Sequence, residues 1–75
     1  MNVTKTVDAK GLACPMPVVK AKKAMDGLQT GDVLEIVSTD KGAKADLPAW
    51  TKSSGHELLE QTEADNEYTF WIKKG

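Results

Sequence analysis

Residues 11–17 read GLACPMP, and the interpretation of the whole chain starts from this stretch. It contains the only cysteine, Cys14, followed by prolines at positions 15 and 17. Pro15 fits the first position of a helix, because a proline there loses no useful N–H and already has a helical φ. Pro17 still falls in the first turn, where amides lack intrahelical partners. The stretch therefore predicts a helix that begins at Pro15, with Cys14 as its N-cap residue.

This position predicts a reactive sulfur. At the N-cap, the sulfur of Cys14 would lie among unpaired backbone N–H groups at the positive end of the helix dipole, which favours a thiolate. Lys10, four residues earlier, is a further candidate to stabilise that anion. The alternative is a buried, inert cysteine, which is a common state of a free thiol. Two flanking prolines argue against it, because packing alone would accept alanine or valine without them.

The flanking sequence predicts the element order β-α-β-α-β-β. Alternating or β-branched apolar residues predict strands over residues 3–8, 33–39, 57–63 and 67–74. Helical periodicity covers residues 15–28. A second helix is predicted over residues 46–55, with Asp46 as N-cap, Pro48 in the first turn and Gly55 just past the end. An earlier start near Ala43 would instead place Pro48 at a kink.

These elements predict one domain over residues 1–75 with an α/β fold, an α+β two-layer sandwich. A strand, a helix and a strand form a right-handed parallel βαβ unit, and the last two strands form a hairpin about residues 64–66. The simplest packing is a four-stranded mixed sheet with two helices on one face. Tyr68, Phe70 and Ile72 should face the helices, and Trp71 should point to the opposite face.

Composition and charge argue against several classes of function. The 75 residues carry a net charge of −1, but residues 1–30 sum to +3 and residues 31–75 to −4. Because the chain has no arginine, bidentate readout of phosphate or guanine is not possible, which argues against direct nucleic-acid binding. No apolar run is long enough to cross a bilayer, and no signal peptide is visible. With a single cysteine, these features indicate the cytoplasm.

Most catalytic arrangements are excluded by residue counts. The single cysteine and the single histidine, His56, lie 42 positions apart, which argues against a structural zinc site. There is no C-x-x-C pair and no glycine-rich phosphate loop, so we expect no metal and no cofactor. A βαβα path places His56 and Cys14 at opposite ends of the sheet, which argues against a Cys–His dyad. A single thiol with no evident base cannot easily run a full hydrolytic cycle, but it can attack another group or carry one.

The pattern Asp8-x-x-Gly11-Leu12-x-Cys14-Pro15-x-Pro17 resembles the Cys-Pro-x-Pro signature of the TusA/SirA/YedF family of small sulfur-carrier proteins. Residues 47–50 (LPAW) and 55–58 (GHEL) resemble the second helix of that family and the turn after it. The resemblance covers essentially the whole chain, including the element order.

The resemblance implies that Cys14 accepts a sulfane sulfur as a persulfide and hands it on, working with a donor enzyme rather than as a stand-alone catalyst. Asp8, Gly11, Pro15 and Pro17 would support the motif. Family donors are cysteine desulfurases and rhodanese-type sulfurtransferases. Family acceptors serve tRNA thiolation, molybdenum-cofactor enzymes or the handling of sulfide and persulfide, and the sequence does not choose among these pathways.

Two departures from the family pattern bear on function. Many members have Asp-Pro after the second strand, where this chain has Asp40-Lys41-Gly42. Some relatives carry a further cysteine in the second helix, and this chain has none. A persulfide on Cys14 would therefore have to be relieved by another protein or a small thiol.

A second hypothesis is a redox-sensing or protein-docking module without sulfur transfer. Met16 and Val19 lie off the apolar stripe of the first helix, either flanking the core or forming an apolar rim beside Cys14. In a docking module, that rim and Lys20, Lys22 and Lys23 would bind a partner. Replacing Cys14 by serine would then leave function intact.

Overall fold

The computed structural model describes residues 2–13 and 15–75. Its elements follow the predicted order, with these bounds: β1 Lys5–Ala9, α1 Met16–Asp26, β2 Val33–Ser38, α2 Ala43–Ser53, β3 Glu57–Ala64 and β4 Glu67–Lys73. The four strands form one sheet in the order β1-β2-β4-β3. The predicted α+β fold, with a four-stranded mixed sheet and two helices, is confirmed.

Strands β1 and β2 are parallel and in register from the pair Lys5–Leu34 to the pair Ala9–Ser38. Strand β4 then pairs with β2 in antiparallel orientation, and β3 pairs with β4 at the edge of the sheet. The loops that follow β1 and β2 therefore leave the sheet at the same end. This end carries the segment that leads to Cys14.

The core lies between the sheet and the two helices. Tyr68, Phe70 and Ile72 on β4 are buried, as predicted, and pair with residues of β2 that also contribute to the core. The helices contribute the buried side chains Ala21, Ala24, Met25, Ala43 and Leu47. Trp71, which alternates with the buried β4 residues, is only half-buried on the other face of the sheet. Burying a side chain of the size of Phe70 stabilises a fold by about 2–3 kcal/mol. The side chains buried between the sheet and the helices therefore supply much of the stability of this fold.

Helix α1 begins one residue later than predicted. Met16 is its first residue, and Pro15 is the N-cap with φ −96° and ψ 12°. The Pro15 carbonyl accepts the N–H of Val19 at 3.0 Å. The prediction of Pro15 at the first helical position is therefore wrong, because a residue without an N–H suits the N-cap as well as the next position. The helix ends at Asp26, before Gly27, rather than at residue 28.

Helix α2 begins three residues earlier than the start predicted at Asp46. Gly42 is the N-cap, and the N–H of Asp46 donates to the Gly42 carbonyl at 2.9 Å, so Asp46 is not the cap. Pro48 lies inside the helix, as the alternative start requires. Residues 43–45 (AKA) favour helix, and Ala43 is buried in the core, so the earlier start adds packing although Pro48 then cannot donate one backbone hydrogen bond.

The end of α2 and the hairpin turn match the prediction. Gly55 has φ +78°, and the N–H groups of Gly55 and His56 donate to the carbonyls of Lys52 and Thr51, which is a Schellman motif. Asp65 and Asn66 connect β3 to β4 with φ values of 52° and 64°. Both angles fit a type I′ turn, the two-residue connection that suits the twist of paired strands. Over the described part of the chain, no helix is long and apolar enough to span a bilayer.

Candidate functional site

The loop between β1 and α1 is a tight, hydrogen-bonded turn. The Asp8 carboxylate accepts the N–H of Lys10 at 2.9 Å, which is an Asx turn, and the N–H of Leu12 donates to the Ala9 carbonyl at 3.3 Å. Gly11 has φ +79°, a conformation that residues with a Cβ rarely adopt. Asp8, Lys10 and Gly11 thus lie together, and the acid and the glycine shape the turn before Cys14.

Thr39 ties this turn to the rest of the sheet. The N–H of Gly11 donates to Thr39 Oγ1 at 2.8 Å, across 28 positions of sequence. Thr39 follows β2 directly, and its neighbour Ser38 accepts the N–H of Asp40 at 3.1 Å. No local sequence pattern identifies Thr39 as part of this turn. The predicted parallel pairing of β1 and β2 could have indicated this contact, because it brings the residues after both strands to the same end of the sheet.

Cys14 itself lies outside the described residues. Because Pro15 is the N-cap of α1, the prediction that Cys14 is the N-cap residue is wrong, and Cys14 comes one position before the cap in the sequence. Around it, Ala13 and Pro15 are exposed, and Pro17 is fully buried. The N–H of Met16 donates to the Ala13 carbonyl at 2.9 Å, and neither proline has an N–H. The start of α1 therefore offers fewer free amides to an anion than the sequence suggested.

The surroundings of the loop are basic. Lys10 is exposed on the turn, and Lys20, Lys22 and Lys23 are exposed along α1. None of these four forms an ion pair within residues 2–13 and 15–75, where the recorded ion pair joins Lys44 to Glu63 at 2.7 Å. The Glu63 carboxylate raises the pKa of Lys44 above its ordinary value of 10.5, through that hydrogen bond first and its charge second. The lysines of α1 thus present a positive surface to solvent.

His56 lies at the other end of the sheet. It precedes β3, whose first residue Glu57 pairs with Lys73, and Lys73 in turn pairs with Val33 at the start of β2. Nδ1 of His56 accepts the N–H of Gly75 at 3.1 Å, and its ring centroid lies 5.5 Å from that of Trp50. An open groove of about 720 Å³ adjoins it. His56 is therefore far from the turn that contains Gly11, as predicted from the topology.

The described residues, which do not include Cys14, bring no three potential metal ligands together. What the described geometry offers is a rigid turn with a positive-φ glycine, a cross-strand tie to Thr39, two prolines at the start of α1 and a basic helix surface. This arrangement can present one side chain to another protein. No acid–base machinery accompanies it among the described residues.

Comparison with known proteins agrees with the resemblance. Residues 5–74 match the family described as Sulfurtransferase TusA. The chain is 60% identical over 75 residues to YrkI of Bacillus subtilis, covering 100% of both chains. It is 41% identical over 68 residues to the sulfur carrier protein TusA of Allochromatium vinosum, covering 91% of this chain and 90% of that protein.

The fold also matches a solved structure. The crystal structure of a SirA-like protein from Desulfitobacterium hafniense superposes with a TM-score of 0.84 at 30% identity, covering 95% of this chain and 97% of that one. Sequence identity along the full length and the same two-layer fold lead to one conclusion. The chain belongs to the TusA family of sulfur carrier proteins.

Proposed function

We propose that this protein carries sulfur in the cytoplasm as a persulfide on Cys14 and relays it between two other proteins. The Cys14 thiolate attacks the terminal sulfur of a persulfide on the donor. A bond forms between Cys14 Sγ and that sulfur, the donor's S–S bond breaks, and the donor leaves as a thiolate. An acceptor then takes the terminal sulfur, and the Cys14 thiolate is restored. Each transfer breaks one S–S bond and forms another. Loading of Cys14 and transfer of its terminal sulfur to an acceptor thiolate therefore need no external oxidant or reductant.

The observation that carries this proposal is the construction of the turn before Cys14. Asp8 and Gly11 fix the backbone there, and Thr39 ties it to the next strand. A purely structural cysteine would not require such a turn or the two prolines that follow. The same turn carries two exposed charges, positive on Lys10 and negative on Asp8, and of these Lys10 is the one that would favour a thiolate or persulfide anion.

A carrier must also dock with its partners, and α1 offers a surface for this. Met16 is 43% exposed, and Val19 is half-buried. Lys20 and Lys23 lie four and seven positions after Met16, so they follow it along the same side of the helix. We propose that the donor, a cysteine desulfurase or a rhodanese-type sulfurtransferase, docks here with an acidic surface around an apolar contact for Met16.

The experiment that tests the relay uses cysteine labelled with radioactive sulfur, a cysteine desulfurase and an acceptor protein. Label should reach the acceptor only when the carrier is present with Cys14 intact, and Cys14→Ser should abolish the relay. If Cys14→Ser relays as well as the natural protein, sulfur is not carried on Cys14 and the proposal fails. A parallel assay with thiosulfate and a rhodanese separates the two donor classes.

The docking surface has its own test. Lys20→Glu together with Lys23→Glu should slow loading tenfold or more at low salt, because like charges across an interface mainly reduce the association rate. The matched control is the pair Lys52→Glu and Lys73→Glu on α2 and β4, which makes the same charge change away from α1. Equal slowing by both pairs would show that net charge, and not the α1 surface, controls loading.

A further inference from the structure

We infer that Thr39 is a positioning residue for Cys14, acting through the backbone N–H of Gly11. This inference deepens the proposed function and rests on it where sulfur transfer is concerned. The hydrogen bond from Gly11 N to Thr39 Oγ1 is 2.8 Å long. The other hydrogen bonds of the turn, to Asp8 and to Ala9, stay within a few residues. The contact with Thr39 thus ties the turn to the neighbouring strand.

The place of this contact in the sheet explains why a hydroxyl is required. The parallel ladder between β1 and β2 ends at the pair Ala9–Ser38. Beyond it the chain bends at Gly11, whose φ of +79° turns its N–H away from a regular ladder. The side chain of Thr39 replaces the backbone carbonyl that a continued strand would have supplied. A side chain of the same shape without the oxygen could not accept this N–H.

The position of Cys14 depends on this tie, because only Leu12 and Ala13 separate it from Gly11. Ala9 is fully buried, and the N–H of Leu12 donates to its carbonyl, so the start of the turn is fixed to the core. On the far side, the N–H of Met16 donates to Ala13 and begins α1. If the hydrogen bond from Gly11 to Thr39 is lost, the backbone between Ala9 and α1 can adopt more conformations. We then expect a smaller fraction of molecules to present Cys14 in the orientation that reacts.

The expected effect is modest, because both Thr39 and Gly11 are exposed and water can replace the lost acceptor. One neutral hydrogen bond corresponds to a factor of about two to ten in the ratio of ordered to released turn at 25 °C. The rate of alkylation of Cys14 by iodoacetamide at fixed pH follows the fraction of ordered turn, so this factor is the largest fall that the lost hydrogen bond can cause. We therefore expect Thr39→Val to lower that rate measurably, by at most about tenfold. The single-turnover rate of sulfur loading from a donor should fall by a similar factor.

The test compares four proteins: the natural chain, Thr39→Val, Thr39→Ser and Thr62→Val. Serine keeps the hydroxyl and should restore both rates to within twofold of the natural chain. Thr62 is an exposed strand residue with no side-chain hydrogen bond within the described part of the chain, so Thr62→Val controls for the same chemical change elsewhere. Urea titration confirms that each variant is folded in the assay. If valine prevents folding, Thr39→Ala removes the same hydroxyl with a smaller side chain.

The outcomes separate this inference from the proposed function. Unchanged alkylation in Thr39→Val, or equal slowing in Thr39→Ser, overturns the positioning role, because the hydroxyl is then not the group that matters. Slowed alkylation in Thr39→Val with rescue by serine supports it, whether or not sulfur is loaded. Failure of the natural protein to take sulfur from either donor class rejects the proposed function and leaves the alkylation result to decide the role of Thr39.

Discussion

The substitution Lys74→Met should destabilise the fold through the far end of α1. The Lys74 Nζ donates to the carbonyl of Met25 at 2.9 Å and to that of Leu28 at 2.5 Å. Met25 lies in the last turn of α1, where the helix dipole is negative, and Leu28 follows the helix by two residues. The Met25 carbonyl also accepts the N–H of Leu28 at 3.0 Å. Lys74 is half-buried, so water does not readily replace its ammonium group. Lys74, which directly follows β4, thus donates to backbone oxygens at the end of α1 and just after it.

The magnitude follows from these two contacts. A hydrogen bond to a charged group contributes about 1.5–3 kcal/mol, and because both bonds share one ammonium group we take about 2 kcal/mol for the pair rather than the sum of two separate bonds. A chain of this size has a free energy of unfolding of roughly 4–11 kcal/mol, so the loss is a large fraction of the total. The corresponding fall in Tm is about 8–16 °C. Methionine keeps most of the aliphatic stem, so lost packing adds little.

The assay is urea denaturation followed by tryptophan fluorescence, with Lys73→Met as the matched control. Lys73 is the exposed neighbour, and within the described residues its ammonium group has no hydrogen bond or ion pair. Both variants remove one positive charge, so long-range electrostatic effects are nearly equal. We expect Lys73→Met to change the free energy of unfolding by less than about 0.5 kcal/mol, as exposed sites usually do. Losses in the two variants that agree within this margin would refute the capping role of Lys74.

Three further predictions address the turns and the ion pair. Gly11→Ala should lower the free energy of unfolding by about 1–2 kcal/mol, because Gly11 has φ +79°; urea denaturation checks this, and an unchanged midpoint would contradict it. Asn66→Gly should raise Tm by a few degrees, because glycine adopts the φ of 64° without strain; calorimetry would contradict this if Tm fell. Glu63→Gln should lower the pKa of Lys44 toward 10.5 in an NMR titration, and an unmoved pKa would show that the pair does not form in solution. Since Glu63 raises that pKa in the folded state, the stabilisation is present below the unfolded value and is lost as pH rises through the folded one.

Much of the fold could be predicted because local patterns and core packing require the same structure. The alternation of Tyr68, Phe70 and Ile72 with exposed residues identifies the face of β4 that the helices cover. Gly55 ends α2 as predicted, because its φ of +78° is the left-handed conformation that glycine favours at this position. The parallel βαβ unit follows from strand, helix and strand in sequence, and it places His56 away from the turn at Gly11.

The helix starts could not be predicted to the residue, for reasons that are visible at each one. At α1, Pro15 suits both the N-cap and the next position, since proline has no N–H at either. At α2, the local signals of Asp46 and Pro48 indicate a start at Asp46, but the helix-favouring residues before them extend the helix back to Ala43. Pro48 then lies inside α2, beyond the first turn, and it cannot donate to the carbonyl four residues before it, which costs the helix one hydrogen bond.

Local sequence patterns could not predict the long-range hydrogen bonds of the Thr39 and Lys74 side chains. Thr39 accepts the N–H of a residue 28 positions away, and Lys74 donates to carbonyls 46 and 49 positions away. Such contacts depend on register and on where each strand ends, which periodicity leaves uncertain by a residue or two. The topology brings the partners near each other, but only the folded chain determines which side chain reaches which backbone group.

The most direct test of the central claim is the intact mass of the protein after incubation with a cysteine desulfurase and cysteine, or with a rhodanese and thiosulfate. The account predicts a gain of one sulfur atom (~32 Da) that reductant removes and that is absent in Cys14→Ser, because the thiolate is the reactive form of cysteine. A gain that persists in Cys14→Ser would place the sulfur elsewhere. No gain from either donor, in a protein whose Cys14 is readily alkylated, would contradict the carrier function and favour a redox or docking module.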